Sequence, residues 1–189
     1  MAVLWPKFQA EVSMWLDTTS ERDEMDTANK IAEAYHSAVQ TAMITLVPGS
    51  TIIATPPPNG MATAIYNTFN QIKQSERIPN PQQFLGWANS IVTFWQAVQW
   101  NPIPPPLGYI SPTTGHTVIS GGTPTPLNIG LWNAFNNVPS QVPMGNVIST
   151  KLISAFTTHL LTITGVYNGI IPAVPSPVPG PPFPWVGVV

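Results

Sequence analysis

The sequence predicts a mainly α fold of four or five helices, with a small β-hairpin and extended proline-rich arms. Three features lead to this prediction. Apolar residues recur at helical spacing along much of the chain, proline-rich runs interrupt that spacing, and a short β-branched stretch surrounds a glycine-containing turn. Because the chain has 189 residues, 43% of them hydrophobic, it is long enough to bury one core.

Two helices are expected at the start of the chain. An apolar stripe that begins at Trp5 predicts a first helix of about three turns. That helix should end in residues 17–20, a run rich in capping side chains. Ser20 should open a second helix, whose first turn carries acids where the helix dipole favours them. This second helix should run to about Leu46, before Pro48-Gly49 stops it.

A strand and two more helices are expected in the middle of the chain. Residues 50–55 are rich enough in β-branched side chains for a short strand. Asn59 should cap a helix that reaches Gln74. The run Asn80-Pro81-Gln82-Gln83 combines a cap, a proline at the first helical position and a glutamine at the third. This run therefore predicts the start of another helix, which should continue to about Trp100.

The helix expected over residues 80–100 is apolar on most of its sides. A helix with this pattern is usually buried on most of its surface, so we expect it to lie at the centre of the fold. Ile91 and Trp95 fall on one face of this helix. We predict that both side chains are buried.

The second half of the chain is expected to hold one hairpin and one long helix. Residues 109–120 have the composition of a hairpin whose turn, residues 112–115, ends in a glycine. Residues 127–137 are compatible with a further short helix, which stays open and is not counted among the four or five. The last long helix should cover residues 147 to about 166, where apolar residues again recur at helical spacing.

These elements divide the chain into two parts. We expect a mostly helical domain over residues 1–170, with proline-rich loops at 47–60 and 101–126, and a proline-rich C-terminal arm over residues 171–189. The arm has no charge, and its prolines exclude a helix. We expect a neighbouring subunit to hold it, rather than the chain's own helices, with buried aromatic side chains as anchors. The predicted interface residues are Tyr109, Trp132, Phe183 and Trp185.

Fixed charges are scarce, and their distribution is uneven. They make up 7% of the chain, against about a quarter of an ordinary soluble domain. The 112 residues from Ile78 to Val189 contain a single fixed charge, Lys151. An isolated fold keeps a charged face in water, so we expect other protein to cover this half. The composition therefore favours a non-enzymatic structural subunit of a large assembly, which forms a homo-oligomer with copies of itself.

The same composition disfavours several other partners. Binding to a nucleic-acid backbone needs several Lys or Arg side chains, so we expect no nucleic-acid partner. The most apolar helix candidate, residues 148–171, contains Lys151 and His159, so we expect no membrane span. Because the chain has no cysteine, disulfides and thiolate metal sites do not arise, and we also expect no cofactor.

No motif for catalysis or metal binding stands out. His36, His116 and His159 lie far apart and lack the spacing of a helical metal site. The acids in residues 21–26 supply oxygen ligands for a divalent cation, but their pattern is not that of a calcium loop. We favour a solvated helix N-terminus for them. With so few titratable groups, we predict little change in stability between pH 6 and 8.

The first 45 residues carry a resemblance to a known class of proteins. Trp5-Pro6-Lys7-Phe8 is followed by a helix of the form Ile-Ala-x-x-Tyr-x-x-Ala-Val, from Ile31 to Val39. This arrangement resembles the start of small virion structural proteins of tailed bacteriophages. The resemblance implies a component of the virion at the neck, tail or baseplate, or on the capsid, with other virion structural proteins as partners. It carries over no catalytic residue.

Two other functions remain open at this point. The tryptophans and prolines of the second half could form a surface that binds glycans or peptides, for example in host attachment. Sugar sites usually add Asp, Asn or Arg to bond hydroxyl groups, and of these only Asn is plentiful here. A small enzyme is the third hypothesis, and its site would need the acids of the N-terminal third.

Overall fold

Six α-helices and two antiparallel sheets make up the part of the chain that the computed structural model describes, residues 3–18, 23–75, 79–136 and 143–189. The helices are α1 Trp5–Thr18, α2 Glu24–Val39, α3 Asn59–Gln74, α4 Leu85–Gln96, α5 Pro124–Phe135 and α6 Met144–Leu160, with a 3₁₀ turn, Pro81–Phe84, before α4. The strands are β1 Ile52–Ala54, β2 Gln99–Trp100, β3 Ser111–Ser120, β4 Thr164–Ile171, β5 Val178–Pro179 and β6 Phe183–Val186. The prediction of a mainly α fold is confirmed in part, because the β structure exceeds one small hairpin.

The helices pack in a closed ring. Each helix packs against the next one in the chain, and α6 packs back against α1. Aromatic side chains fill the interior: the ring centroids of Tyr35 and Phe156 are 4.7 Å apart, and those of Phe8 and Phe156 are 5.6 Å apart. Within the described residues, no helix is both long enough and apolar enough to cross a membrane.

The predicted burial of Ile91 and Trp95 on α4 is confirmed, but the helix is not covered on most sides: Gly86, Asn89, Thr93 and Gln96 form an exposed face. Ile91 and Trp95 are fully buried, and the indole Nε1 of Trp95 donates a hydrogen bond of 2.8 Å to the hydroxyl of Tyr35. The capping box at Asn80 and Gln83 is present as predicted. The helix nevertheless ends at Gln96, before the predicted Trp100, which instead pairs with Ile52 in the β1–β2 sheet.

The two N-terminal helices form as expected, with different ends. The predicted cap Ser20 lies outside the described residues, and Asp23 caps α2 by accepting a hydrogen bond from the backbone N–H of Met25. The prediction that α2 reaches Leu46 is wrong. Residues 43–45 instead run beside residues 187–189: Met43 and Val189 exchange two backbone hydrogen bonds of 2.7 and 2.9 Å.

The predicted hairpin at residues 109–120 is wrong. Residues 111–120 form one strand, β3, which pairs antiparallel with β4, and the stretch from Pro112 to Gly115 is an irregularity in that pairing. Gly115 adopts a φ of +72°, which a glycine tolerates and which lets the strand bulge without turning back. A bulge and a turn can therefore have the same local sequence, which is why this stretch was predicted to be a turn.

The last helix is shorter than predicted. It ends at Leu160, and residues 164–171 form β4, which pairs with β3, β5 and β6. Burial alternates along β4, with Gly165, Tyr167 and Gly169 facing inwards. Burial of every second residue is the pattern of a strand, and it replaces the helical spacing of buried residues after Leu160.

The end of the arm belongs to the chain's own fold. Strand β6 pairs with β4, Trp185 is 1% exposed, and its ring lies 6.3 Å from that of Trp100. The N–H groups of Gly187 and Val188 donate to the carbonyls of Ile163 and Leu160. The prediction that a neighbouring subunit holds this segment is therefore wrong for residues 183–189. Prolines exclude a helix, but they are compatible with short edge strands.

Candidate interaction surfaces

The second half of the chain presents almost no charge to solvent. Among the described residues before Pro79, the fixed charges lie on α1, on α2 with its cap, and in the last turn of α3. The single later charge, Lys151, is only partly exposed, and its Nζ donates to the carbonyls of Asn133 and Asn136 at 3.2 and 3.3 Å. Lys151 therefore supplies hydrogen-bond donors to carbonyl groups at the C-terminal end of α5, where the helix dipole favours a cation.

Two proline-rich loops meet at one end of the four-stranded sheet. We define residues 101–110 and 172–182 together as the proline tip. The first loop leads into β3, and the N–H of Ile110 donates to the carbonyl of Ile170 at the end of β4. The hydroxyl of Tyr109 donates to the carbonyl of Pro181. The two loops are therefore joined to each other within the chain.

The proline tip is apolar and exposed. Leu107 is 100% exposed and Val174 is 99% exposed, and the tip contains ten prolines and no charged residue. Prolines fix the backbone, so such a segment loses little conformational entropy when it docks against another protein. Two predicted interface residues lie at the base of the tip: the rings of Tyr109 and Phe183 are 6.2 Å apart.

A second surface is a cavity between α3, the 3₁₀ turn and α5. We call it the aromatic pocket, and it has a volume of about 470 Å³. Its apolar lining residues are Phe69, Ile72, Pro79, Phe84, Trp132 and Phe135. Phe84 stacks on Phe135 at 6.1 Å between ring centroids, and the Nε1 of Trp132 donates 2.9 Å to the carbonyl of Pro79.

One ion pair stands at the rim of the aromatic pocket. The Nζ of Lys73 lies 2.5 Å from a carboxylate oxygen of Glu24. This hydrogen bond lowers the pKa of Glu24 and raises the pKa of Lys73. The two rim charges therefore neutralise each other, and the described lining has no other charge.

The four predicted interface residues do not form one site. Tyr109 and Phe183 lie together at the proline tip, Trp132 lines the aromatic pocket, and Trp185 is buried in the core. Trp185 is therefore unsuited to anchor a partner. The sequence analysis missed the phenylalanines of the pocket, because they come from separate elements and only the packing of α3 and α5 against α4 and the 3₁₀ turn brings them together.

The histidines are also separate from one another. His36 lies 2.8 Å from the hydroxyl of Thr55, and His116 lies 3.4 Å from the carbonyl of Pro104. His159 is 2% exposed beneath Gly122. No group of His, Asp and Glu side chains within the described residues is arranged to hold a metal ion.

Acid should destabilise this fold through His159. Burial lowers its pKa to about 4, and the Gly121 backbone acts in the opposite direction. Burial also lowers the pKa of His36 and of His116. The unfolded chain therefore binds protons more readily, so stability is complete above about pH 6.5 and falls as the pH drops towards 4.

The expected loss through His159 is about 3 kcal/mol between pH 7 and pH 4, with most of it below pH 6. Urea unfolding of the protein and of a His159→Gln variant at a series of pH values measures it. The variant should show a clearly shallower dependence, because Gln does not titrate. Equal slopes for the two proteins would exclude His159 as the cause.

Comparison with protein-family models, with curated proteins and with solved structures finds no match for this chain.

Proposed function

We propose that this protein is a non-enzymatic structural subunit of a large assembly, a virion component of a tailed bacteriophage at the neck, tail, baseplate or capsid. The observation that carries the proposal is the charge-free surface of the second half, where Lys151 is engaged by two carbonyls. The resemblance of the first 45 residues to small virion structural proteins is the reason for proposing a phage particle as the assembly. The partners are copies of this chain and other virion structural proteins.

Exposed apolar side chains support an assembly role. Leu107, Val174 and Ile119 are all more than half exposed, and they lie on the charge-free half. A soluble monomer keeps such side chains scattered among charges, which maintain its solubility. Here they adjoin rigid prolines and an uncharged sheet, a composition that suits contact with another protein.

The aromatic pocket favours a second candidate function, binding of a glycan or a peptide in host attachment. Its volume of about 470 Å³ falls in the range of ligand sites. Its polar groups are few: Asn136 and the Glu24–Lys73 pair at the rim. A sugar needs several converging hydrogen-bond partners, so the pocket suits an apolar peptide segment better.

Sedimentation velocity of the purified chain tests the assembly role. We expect association beyond a monomer at micromolar concentrations, and little weakening when salt rises from about 0.05 to about 1 M, because no ion pair is needed for the contact. A binding module would remain monomeric. The protein composition of purified virions from the encoding phage is the second measurement. A chain that is monomeric at all concentrations and missing from the particles would refute the proposal.

A further inference from the structure

A further cavity lies between the β1–β2 sheet and strand β3, and we call it the sheet cavity. It has a volume of about 640 Å³, which is in the range of ligand sites. Its lining comes from β1, from the end of α4 and the segment that follows, and from β3, and none of these residues adjoins a gap in the described chain. The polar side chains of the lining are Gln96, Gln99, Trp100, Thr114, His116 and Thr117.

Two side chains of the sheet cavity carry buried polar groups that the chain leaves unpaired. Trp100 is 4% exposed and His116 is 7% exposed. Among the described residues, neither the Nε1 of Trp100 nor the Nδ1 of His116 has a hydrogen-bond partner. A buried polar group without a partner costs about 1–3 kcal/mol, and native folds pair nearly all such groups. These two groups therefore lack a partner that something other than the chain has to supply.

The two unpaired groups have opposite hydrogen-bonding characters. The indole nitrogen of Trp100 can only donate. The Nε2 of His116 lies 3.4 Å from the carbonyl oxygen of Pro104, and a carbonyl only accepts, so this nitrogen carries the ring hydrogen. Burial lowers the pKa of His116, so the ring is neutral at pH 7 and its Nδ1 accepts. The missing partner must therefore both accept and donate.

We propose that the sheet cavity binds a neutral saccharide, whose hydroxyl groups pair with the indole of Trp100 and the imidazole of His116. A hydroxyl group accepts and donates through one oxygen, so a single kind of ligand group suits both nitrogens. This inference goes beyond the proposed function. It concerns a site separate from the aromatic pocket, and it does not depend on the assembly role.

The rest of the lining adds further partners for a sugar. Gln96, Gln99 and Thr117 are exposed, and their side chains form no hydrogen bond with any other described residue. A carboxamide offers two donors and one acceptor oxygen, and a threonine hydroxyl offers both characters. Several polar groups therefore converge on one cavity, as a sugar requires. An acidic sugar would find no Lys or Arg in this lining, so we commit to a neutral one.

The two unpaired side chains are held in place from behind. The ring of His116 lies 4.6 Å from that of Tyr167, and the ring of Trp100 lies 6.3 Å from that of Trp185. Gly115 lets β3 approach the loop that follows β2, because a Cβ at this position would lie 2.5 Å from the Cβ of Pro102. A ligand would therefore meet groups that are already ordered, which reduces the entropy lost on binding.

Saturation-transfer NMR of the full-length chain tests the proposal, with glucose, galactose and N-acetylglucosamine as probes. We expect at least one of them to bind at millimolar concentrations, the affinity that a ligand of this size reaches. N-methylacetamide is the comparison probe. It offers the N–H and C=O of a peptide group but no hydroxyl, and it should not displace the sugar.

Variants of the lining assign the binding to the sheet cavity. Gln99→Ala and Thr117→Val each remove an exposed polar group, and each should raise the dissociation constant for the sugar by about 2–10-fold. Trp100→Phe removes the buried donor and should raise it by about tenfold. Gln71→Ala on α3 and Thr157→Val on α6 are the matched controls. Both residues are exposed and lie outside the cavity, so these variants should bind like the unmodified chain.

Each other outcome overturns the proposal. If no sugar receives saturation from the chain, or if Gln99→Ala and Thr117→Val bind sugar as tightly as their controls, the sheet cavity is not a saccharide site. If N-methylacetamide binds and the sugars do not, the occupant is a peptide. If no probe binds, ordered water alone pairs the two nitrogens. Sedimentation velocity tests the assembly role separately, and none of these results changes its outcome.

Discussion

Deleting residues 183–189 should unfold the protein. The deletion removes β6, the buried Trp185 and Val188, and the backbone hydrogen bonds that these residues make to Ile163, Leu160 and residues 43–45. It also uncovers Trp100, which Trp185 covers. We expect the loss of the cooperative melting transition in circular dichroism.

A point variant measures the largest part of this effect. Trp185→Ala should lower the free energy of unfolding by about 3–5 kcal/mol, the range for large buried aromatics. Trp185→Phe should cost less, because it keeps a ring against Trp100. Val174→Ala, in the exposed part of the same arm, should change stability by no more than about 0.5 kcal/mol. An unchanged urea midpoint for Trp185→Ala would show that residues 183–189 do not belong to the core.

The second large effect is expected at the centre of the helical ring. Trp95→Ala should cost about 3–5 kcal/mol through the cavity it leaves, and it also removes the donor to the Tyr35 hydroxyl. Burial raises the pKa of Tyr35, so that hydroxyl stays protonated and needs its partner. A loss below about 1 kcal/mol would mean that α4 is peripheral.

The hydrogen bond itself can be isolated from the cavity. Trp95→Phe and Tyr35→Phe each remove one partner while keeping a ring in the core. Each single variant should cost about 1–3 kcal/mol, since it leaves one buried polar group unpaired, and the double variant should cost less than the sum of the two. Additive costs in urea unfolding would show that the two groups do not interact.

The parts of the fold that depend on neighbouring residues were predictable from the sequence. The cap, proline and glutamine at Asn80–Gln83 act within one turn, so their pattern identifies the start of α4. The apolar stripe of α1 likewise reports its buried face, Phe8, Val12 and Leu16. Such signals need no knowledge of the rest of the chain.

The parts that depend on distant residues were not predictable. Whether residues 112–115 turn or bulge is decided by β4, which follows about fifty residues later and whose first residues, 164–166, fall within the helix predicted from the sequence. The prolines of the arm exclude a helix, but they do not indicate that residues 183–186 form a strand or that this strand pairs with β4. The aromatic pocket was not predictable for the same reason, because Phe69 on α3 and Phe135 on α5 come into contact only in the folded structure.

The pairing of residues 43–45 with residues 187–189 has a consequence for folding kinetics. These hydrogen bonds join residues that are more than 140 positions apart in the sequence, and the contact of α1 with α6 also joins distant segments. Closing such large loops is slow, because their entropy is lost before the contacts form. The helices should therefore appear early, and the pairing of residues 43–45 with residues 187–189 should form last, in milliseconds to seconds. Until the C-terminal segment is held in place, the edge of β4 that β6 covers is open to other chains, so prompt folding limits aggregation before assembly.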